Sequence, residues 1–201
     1  MEFVKSFAQM ARDTILDPKA GARRALGFDL PRPVLWQLLA LVVLLGMLQT
    51  FAYDALLPAP AENALMPFFG NQPLLTAGIA FVATLAMVFA MHRVGRAFGG
   101  SGDFDGALRL TVWLQAVMLF LNFVQMVLLV VLPPLAALMG IVNLGLMLWL
   151  MTNFVAVLHG FRALFPVFVM IIVTGFAMGF ALFFLLMMAG VIVPPEVANN
   201  V

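Results

Sequence analysis

Long apolar stretches separated by short segments that carry nearly all the charge set the pattern of this chain. The longest stretch, Leu110 to Phe161, contains no Asp, Glu, Lys or Arg and has one break, Val131-Leu132-Pro133-Pro134. A run of about 18 or more apolar residues reads as a membrane span, and this stretch holds two. The bilayer core offers no water to the backbone, so each half must bond to itself as a helix. Proline cannot continue the first helix, whereas Pro134 suits the opening turn of the second. The centre of the chain is therefore a tight transmembrane hairpin.

The same pattern predicts three more spans. Span one runs from Val34 to Leu57 behind Pro33, and span two from Pro73, after a capping Asn71, to Val94. Span three starts at the Asp103-Phe104-Asp105 cap and ends at Leu132. Span four covers Pro134 to Leu158, and span five Pro166 to Val191. Four of the five open with proline, where a missing N–H costs least. The third instead places acids at its positive dipole end.

Ahead of them, Phe3, Phe7, Met10 and Ala11 share one helical face of residues Glu2 to Leu16, with Val4, Ala8 and Ile15 beside it. Glu2, Lys5, Gln9, Arg12 and Asp13 occupy the other side. This is an amphipathic helix too short and too polar to span, lying on the bilayer surface or docked under the bundle. Asp17-Pro18 then reads as N-cap and first helical position of a short basic helix, with Leu26 its last residue and Gly27 its stop. The expected fold is an all-α polytopic bundle of five transmembrane helices with an N-terminal amphipathic helix. It divides into a basic N-terminal region (1–32), a five-span domain (33–193) and an external tail (194–201).

Composition removes the soluble alternative. The chain is 65% hydrophobic and 9% charged, with mean hydropathy +1.13, whereas soluble domains carry about 25% charged residues. A net charge of +1 gives no electrostatic case for nucleic acid. The absence of cysteine excludes disulfides, thiolate metal sites and cysteine nucleophiles. More than thirty mostly polar or amphipathic residues precede the first apolar run, unlike a secretory signal.

Charge also orients the chain. Lys5, Arg12, Lys19, Arg23, Arg24 and Arg32 precede span one, Arg93, Arg96 and Arg109 flank the loop between spans two and three, and Arg162 sits between four and five. With five spans all ten fall on one side, while the other side carries Asp54, Glu62 and Glu196. The positive-inside rule then places the N-terminus in the cytoplasm and the C-terminus outside, in an inner membrane if the chain is bacterial.

Candidate chemistry is sparse. Gln37 and Gln49 lie in span one, Gln115, Asn122 and Gln125 share a face of span three, and Asn143 and Asn153 lie in span four. They read as a polar path or as interhelical hydrogen bonds, which are worth about 0.6 kcal/mol each. No charge at mid-membrane depth drives an ion, which favours the bonds. Gly175-x-x-x-Gly179 and the weaker Ala136-x-x-x-Gly140 are small-residue faces that allow close helix approach, within the bundle or to another chain.

His92, Arg93, Arg96, Asp103, Asp105, Arg109, His159 and Arg162 gather at the basic ends of the spans. Neither histidine belongs to a ligand-spaced pair, so the cluster reads as helix caps, ion pairs and contacts to lipid phosphates, chiefly through Arg93, Arg96, Arg109 and Arg162. The 15 methionines read as adaptable packing. Hydrolase, zincin, Walker and dinucleotide motifs are absent, and Gly99-Gly100-Ser101-Gly102 reads as a flexible loop.

The segment Asp17-Pro-Lys-Ala-Gly-Ala-Arg-Arg-Ala-Leu, then Gly27-Phe-Asp-Leu-Pro-Arg-Pro-Val-Leu-Trp36, resembles the bacterial branch of the Yip family of Ypt/Rab-interacting membrane proteins. Asp29, Leu30 and Pro33 match the D-L-Y-G-P signature of eukaryotic members, while Pro31 and Arg32 replace its Tyr and Gly. The loop Phe98-Gly-Gly-Ser-Gly-Asp-Phe-Asp-Gly-Ala-Leu-Arg109 is also similar to bacterial members, and the likeness covers about residues 17 to 190. The resemblance implies five spans, a cytoplasmic N-terminus and a non-enzymatic role. Eukaryotic relatives act in vesicle traffic and bind small GTPases, a property not carried over here because the signature is altered.

Two functional readings follow. The first is a membrane scaffold or accessory protein without cofactor, whose partners are the lipid bilayer and other membrane proteins or further copies of itself. The second is a small transporter or lipid-moving protein using the polar faces of spans three and four.

Overall fold

The computed structural model describes residues 2–56 and 73–188, which form seven α-helices. These are α1 (Glu2–Leu16), α2 (Pro18–Leu26), α3 (Arg32–Leu56), α4 (Pro73–Ala97), α5 (Phe104–Val131), α6 (Pro133–His159) and α7 (Leu164–Met188). The last five are long and apolar enough to cross a membrane. The protein is an all-α polytopic membrane bundle with two short helices at its start.

Local chemistry sets the boundaries. The Asp17 carboxylate accepts from the Ala20 N–H at 2.9 Å, and Pro18 fills the first position of α2. Asp103 caps α5 in the same way through Gly106 N–H at 3.1 Å, with Asp105 in the first turn. Between α5 and α6 the chain turns on Leu132 alone, and Pro133 and Pro134 both lie in the first turn of α6. Helix α3 starts at Arg32, one residue ahead of Pro33, and α7 starts at Leu164, two ahead of Pro166. Proline is tolerated throughout a first turn because those N–H groups have no intrahelical partner. The capping Asn71, the ends at Leu57 and Val191 and the tail 194–201 lie outside the described residues.

The α5–α6 hairpin is the centre. Helices α3 and α4 pack on α5, α2 lies across one end of α5 and α6, and α7 leans on α6. The completely buried side chains concentrate toward that end: Leu108, Leu110 and Val117 of α5, Leu150 and Phe154 of α6, and Leu39 of α3. The starts of α3 and α5 meet there, as do the ends of α4 and α6, so the cations of these segments share it. We call it the basic end.

Helix α1 docks on the bundle, the second of the two placements its sequence allowed. The Phe7 ring packs edge-on against Trp113 and Phe120 at 5.8 and 6.0 Å. Trp113 Nε1–H donates to Thr14 Oγ1 at 3.2 Å. Small residues make the approach possible: Ala11, Ala22 and Ala25 are buried, and a Cβ on Gly21 would lie 2.7 Å from Thr14. Glu2, Lys5, Gln9 and Arg12 remain exposed on the opposite face.

Candidate functional site

The basic end is organised around a histidine. His159, the last residue of α6, is 4% exposed. Its Nδ1 accepts from the Gly102 N–H at 3.1 Å, so Nε2 carries the proton and donates to the Met91 carbonyl at 2.8 Å. One neutral imidazole thus ties α6 to α4 and to the α4–α5 loop. A Cβ added to Gly95, Gly100 or Gly102 would collide with this ring or with Leu158 beside it. The glycine-rich segment, read from sequence as a flexible loop, is fitted around the imidazole.

Both helices that meet here end on left-handed glycines. Gly99, at φ 88°, ends α4 with Gly99 N–H to Arg96 O and Gly100 N–H to Gly95 O. Gly160, at φ 74°, ends α6 with Phe161 N–H to Ala156 O. These are Schellman-type stops, in which the bonds satisfy carbonyls the helix leaves free. The loops are short because the caps are efficient, and short loops hold His159 between the two ends.

Of the cations singled out, Arg93, Arg96 and Arg162 are exposed, while Arg109 is half-buried and its Nε has no hydrogen-bond partner among the described residues. Arg32 and Asp105 form an ion pair at 2.8 Å, joining the starts of α3 and α5. His92 packs edge-on against Phe104 at 6.1 Å. No group of three or more potential metal ligands occurs among the described residues.

The intramembrane amides separate into distinct environments. Asn143 is 4% exposed and donates to Asn122 Oδ1 at 3.3 Å and Gln125 Oε1 at 2.8 Å, which ties α6 to α5. Its own Oδ1 is buried without a partner among the described residues. Gln115, on the same helix as Asn122 and Gln125, joins none of these bonds. Asn153 turns back onto the Trp149 carbonyl of its own helix at 2.8 Å. In span one, Gln49 donates to the Leu119 carbonyl of α5 at 3.2 Å, and Gln37 is exposed.

The two small-residue faces also part company. Ala136 is buried, and a Cβ on Gly140 would lie 3.0 Å from Gln125 Nε2, so this pair sits at the α5–α6 crossing. Gly175 and Gly179 are exposed, and a Cβ on either meets nothing within 4 Å.

The family model for the Yip1 domain matches residues 12–191. The chain belongs to the Yip family. The match runs from α1 through the last span, so it covers the basic end and the amide cluster together. No match was found among curated proteins, and none among solved structures. Of the residues shared with the Yip signature, Asp29 and Pro33 are exposed and Leu30 is half-buried against the core, all at the α2–α3 connection. Arg32, where this Yip chain departs from the signature, makes the bond to Asp105. Sequence reasoning missed His159 as the organiser. The signal was the recurrence of glycine at 95, 100 and 102, more than a flexible loop requires.

Proposed function

We propose that this Yip-family membrane protein is a non-enzymatic scaffold or accessory subunit. It sits in the bilayer with its basic end in the cytoplasm and its C-terminus outside, in an inner membrane if the source is bacterial. Residues 1–32 then form the cytoplasmic face, 33–193 the membrane domain and 194–201 the external tail. Membrane partners engage its outer helix faces and the cations at 93, 96, 109 and 162.

The observation that carries this reading is the way the interior polar groups are used. Both Asn143 donor bonds, both ring nitrogens of His159 and the Thr14 hydroxyl join different elements, while Thr84, Thr152 and Asn153 bond to carbonyls of their own helices. Such groups hold a bundle together; a transport path would leave them facing a polar cavity. The alternative of a small transporter working through α5 and α6 draws on the buried, unpartnered Asn143 Oδ1.

One experiment separates the two. The full chain is reconstituted in liposomes as wild type and as Asn122→Leu/Asn143→Leu, and solute and lipid flux are followed beside cross-linking in native membranes. A scaffold gives no flux above empty liposomes and discrete cross-linked complexes. Flux that the double variant abolishes would overturn the proposal. Reporters fused before Met1 and after Val201 must also report opposite compartments.

A further inference from the structure

Among the described residues, the buried ones of helix α7 lie within its first eight positions. Val167 and Ile171 are buried against the core, but beyond them Phe176, Phe180, Phe183 and Leu185 are exposed. Between α7, α4 and α6 this opens a lateral groove of about 700 Å³, a volume typical of cavities that hold small molecules. Gly175 and Gly179 form part of its floor, and Met87, Met91, Met147, Met151, Met170 and Met178 line it. A second cavity of about 440 Å³, walled by Phe98 and Phe165, shares Met170 and Thr174 with the first and extends it to the basic end.

The chemistry changes at that mouth. Arg93 adjoins the groove residue Val94, Arg96 lies two residues before Phe98, and Arg162 lies three before Phe165. All three are exposed, and none pairs with a carboxylate among the described residues. The two acids at the start of α5 are engaged elsewhere, Asp105 with Arg32 and Asp103 with the Gly106 N–H. A long apolar slot at membrane depth, with exposed arginines one to three residues along the chain from its lining at one interface, matches one occupant in both parts.

We propose that the groove holds one anionic phospholipid, its acyl chains between α4, α6 and α7 and its phosphate against Arg93, Arg96 and Arg162. Methionine walls suit a flexible hydrocarbon because thioether side chains adapt to irregular shapes. An empty apolar slot would forfeit the dispersion contacts that hold helices together in lipid. Each arginine at a membrane interface favours an anionic headgroup by about fivefold. The inference requires only that the bundle spans a bilayer, so it survives if no protein partner is found.

The test is native mass spectrometry of the purified full chain, delipidated and then titrated with phosphatidylglycerol or phosphatidylcholine. Wild type retains one phosphatidylglycerol, with a preference over phosphatidylcholine on the order of 100-fold. In Gly175→Leu/Gly179→Leu the new side chains enter open space, so the fold survives (checked by circular dichroism and sizing) while retention of both lipids is lost. Arg93→Gln/Arg96→Gln/Arg162→Gln retains lipid without the preference, and the corresponding lysine triple variant restores it. Unchanged retention in the glycine variant would overturn the proposal, as would unchanged preference in the glutamine variant. Loss of a dimer with lipid retention intact would also overturn it, by identifying a second copy as the occupant.

Discussion

Adding one methyl group at Gly95 should destabilise the protein, and removing the His159 ring should reverse the sign of that effect. The three atoms nearest a Cβ on Gly95 all belong to the His159 imidazole, with which it collides. Overpacking of this kind costs about 1–3 kcal/mol. Displacing the ring also strains two hydrogen bonds worth about 0.5–1.5 kcal/mol each. Against this, Ala exceeds Gly in helix propensity by about 1 kcal/mol. Gly95→Ala in wild type should therefore cost about 2 kcal/mol net. His159→Ala alone should cost about 3 kcal/mol, because it removes both bonds and leaves the Gly102 N–H unpartnered. In that background the clash is gone, and Gly95→Ala should stabilise by about 1 kcal/mol. The cycle thus carries a coupling of about 3 kcal/mol, large for neighbouring residues. It is read from unfolding in mixed dodecyl maltoside and SDS micelles by far-UV circular dichroism. If Gly95→Ala alone yields no folded protein, recovery of folded yield in the double variant reads the same coupling. Equal cost of Gly95→Ala in both backgrounds would refute the account of the glycines as a seat for this ring.

Three further outcomes follow from the packing. Asn143→Leu removes two interhelical bonds worth about 0.6 kcal/mol each, so a loss near 1 kcal/mol is expected in the same unfolding assay; more than 3 kcal/mol would contradict that valuation. Trp113→Ala should free α1 by removing the edge-on contact with Phe7 and the bond to Thr14. Trypsin cleavage at Arg12 should then quicken at least about tenfold, the equivalent of 1.4 kcal/mol, and an unchanged rate would mean that α1 is held elsewhere. Arg32→Gln breaks an ion pair whose side chains are 61% and 32% exposed. Its cost should stay below about 1 kcal/mol, as for other solvated pairs, and a larger cost would show the Arg32 link to be structural.

The spans were legible because bilayer physics leaves few choices. A charge-free run interrupted at Pro133-Pro134 admits only two helices, and Asp103 and Asp17 marked their helix starts unambiguously through capping. Proline positions were less exact guides, since Pro166 sits third in α7 and Pro33 second in α3. The amide cluster was half legible: helical spacing grouped Gln115, Asn122 and Gln125, but only the pairing of α5 with α6 selects Asn122 and Gln125 for Asn143. The His159 seat could not be read locally. Its donor, acceptor and surrounding glycines are separated by up to 68 residues and come together only through tertiary packing. For α1, amphipathicity gave the face but not what it faces, because a bilayer surface and a helix bundle both attract Phe7 and Ala11.

The two ends of this bundle are held by different forces, and that difference explains where it is open. Lipid tails are as apolar as Leu, so spans associate through close backbone approach and hydrogen bonds rather than through the hydrophobic effect. The basic end has both: Gly95, Gly100, Gly102 and Gly106 against His159 and Leu158, and the bonds of His159 and of Trp113 to Thr14. Further from that end, Asn143 and Gly140 perform the same task for α5 and α6. Helix α7 has neither device. Its two glycines touch nothing, and its one described polar residue, Thr174, lines the groove. Among the described residues, the buried ones of α7 are Val167 and Ile171 in its first eight positions, so whatever fills the groove bears on the position of the rest.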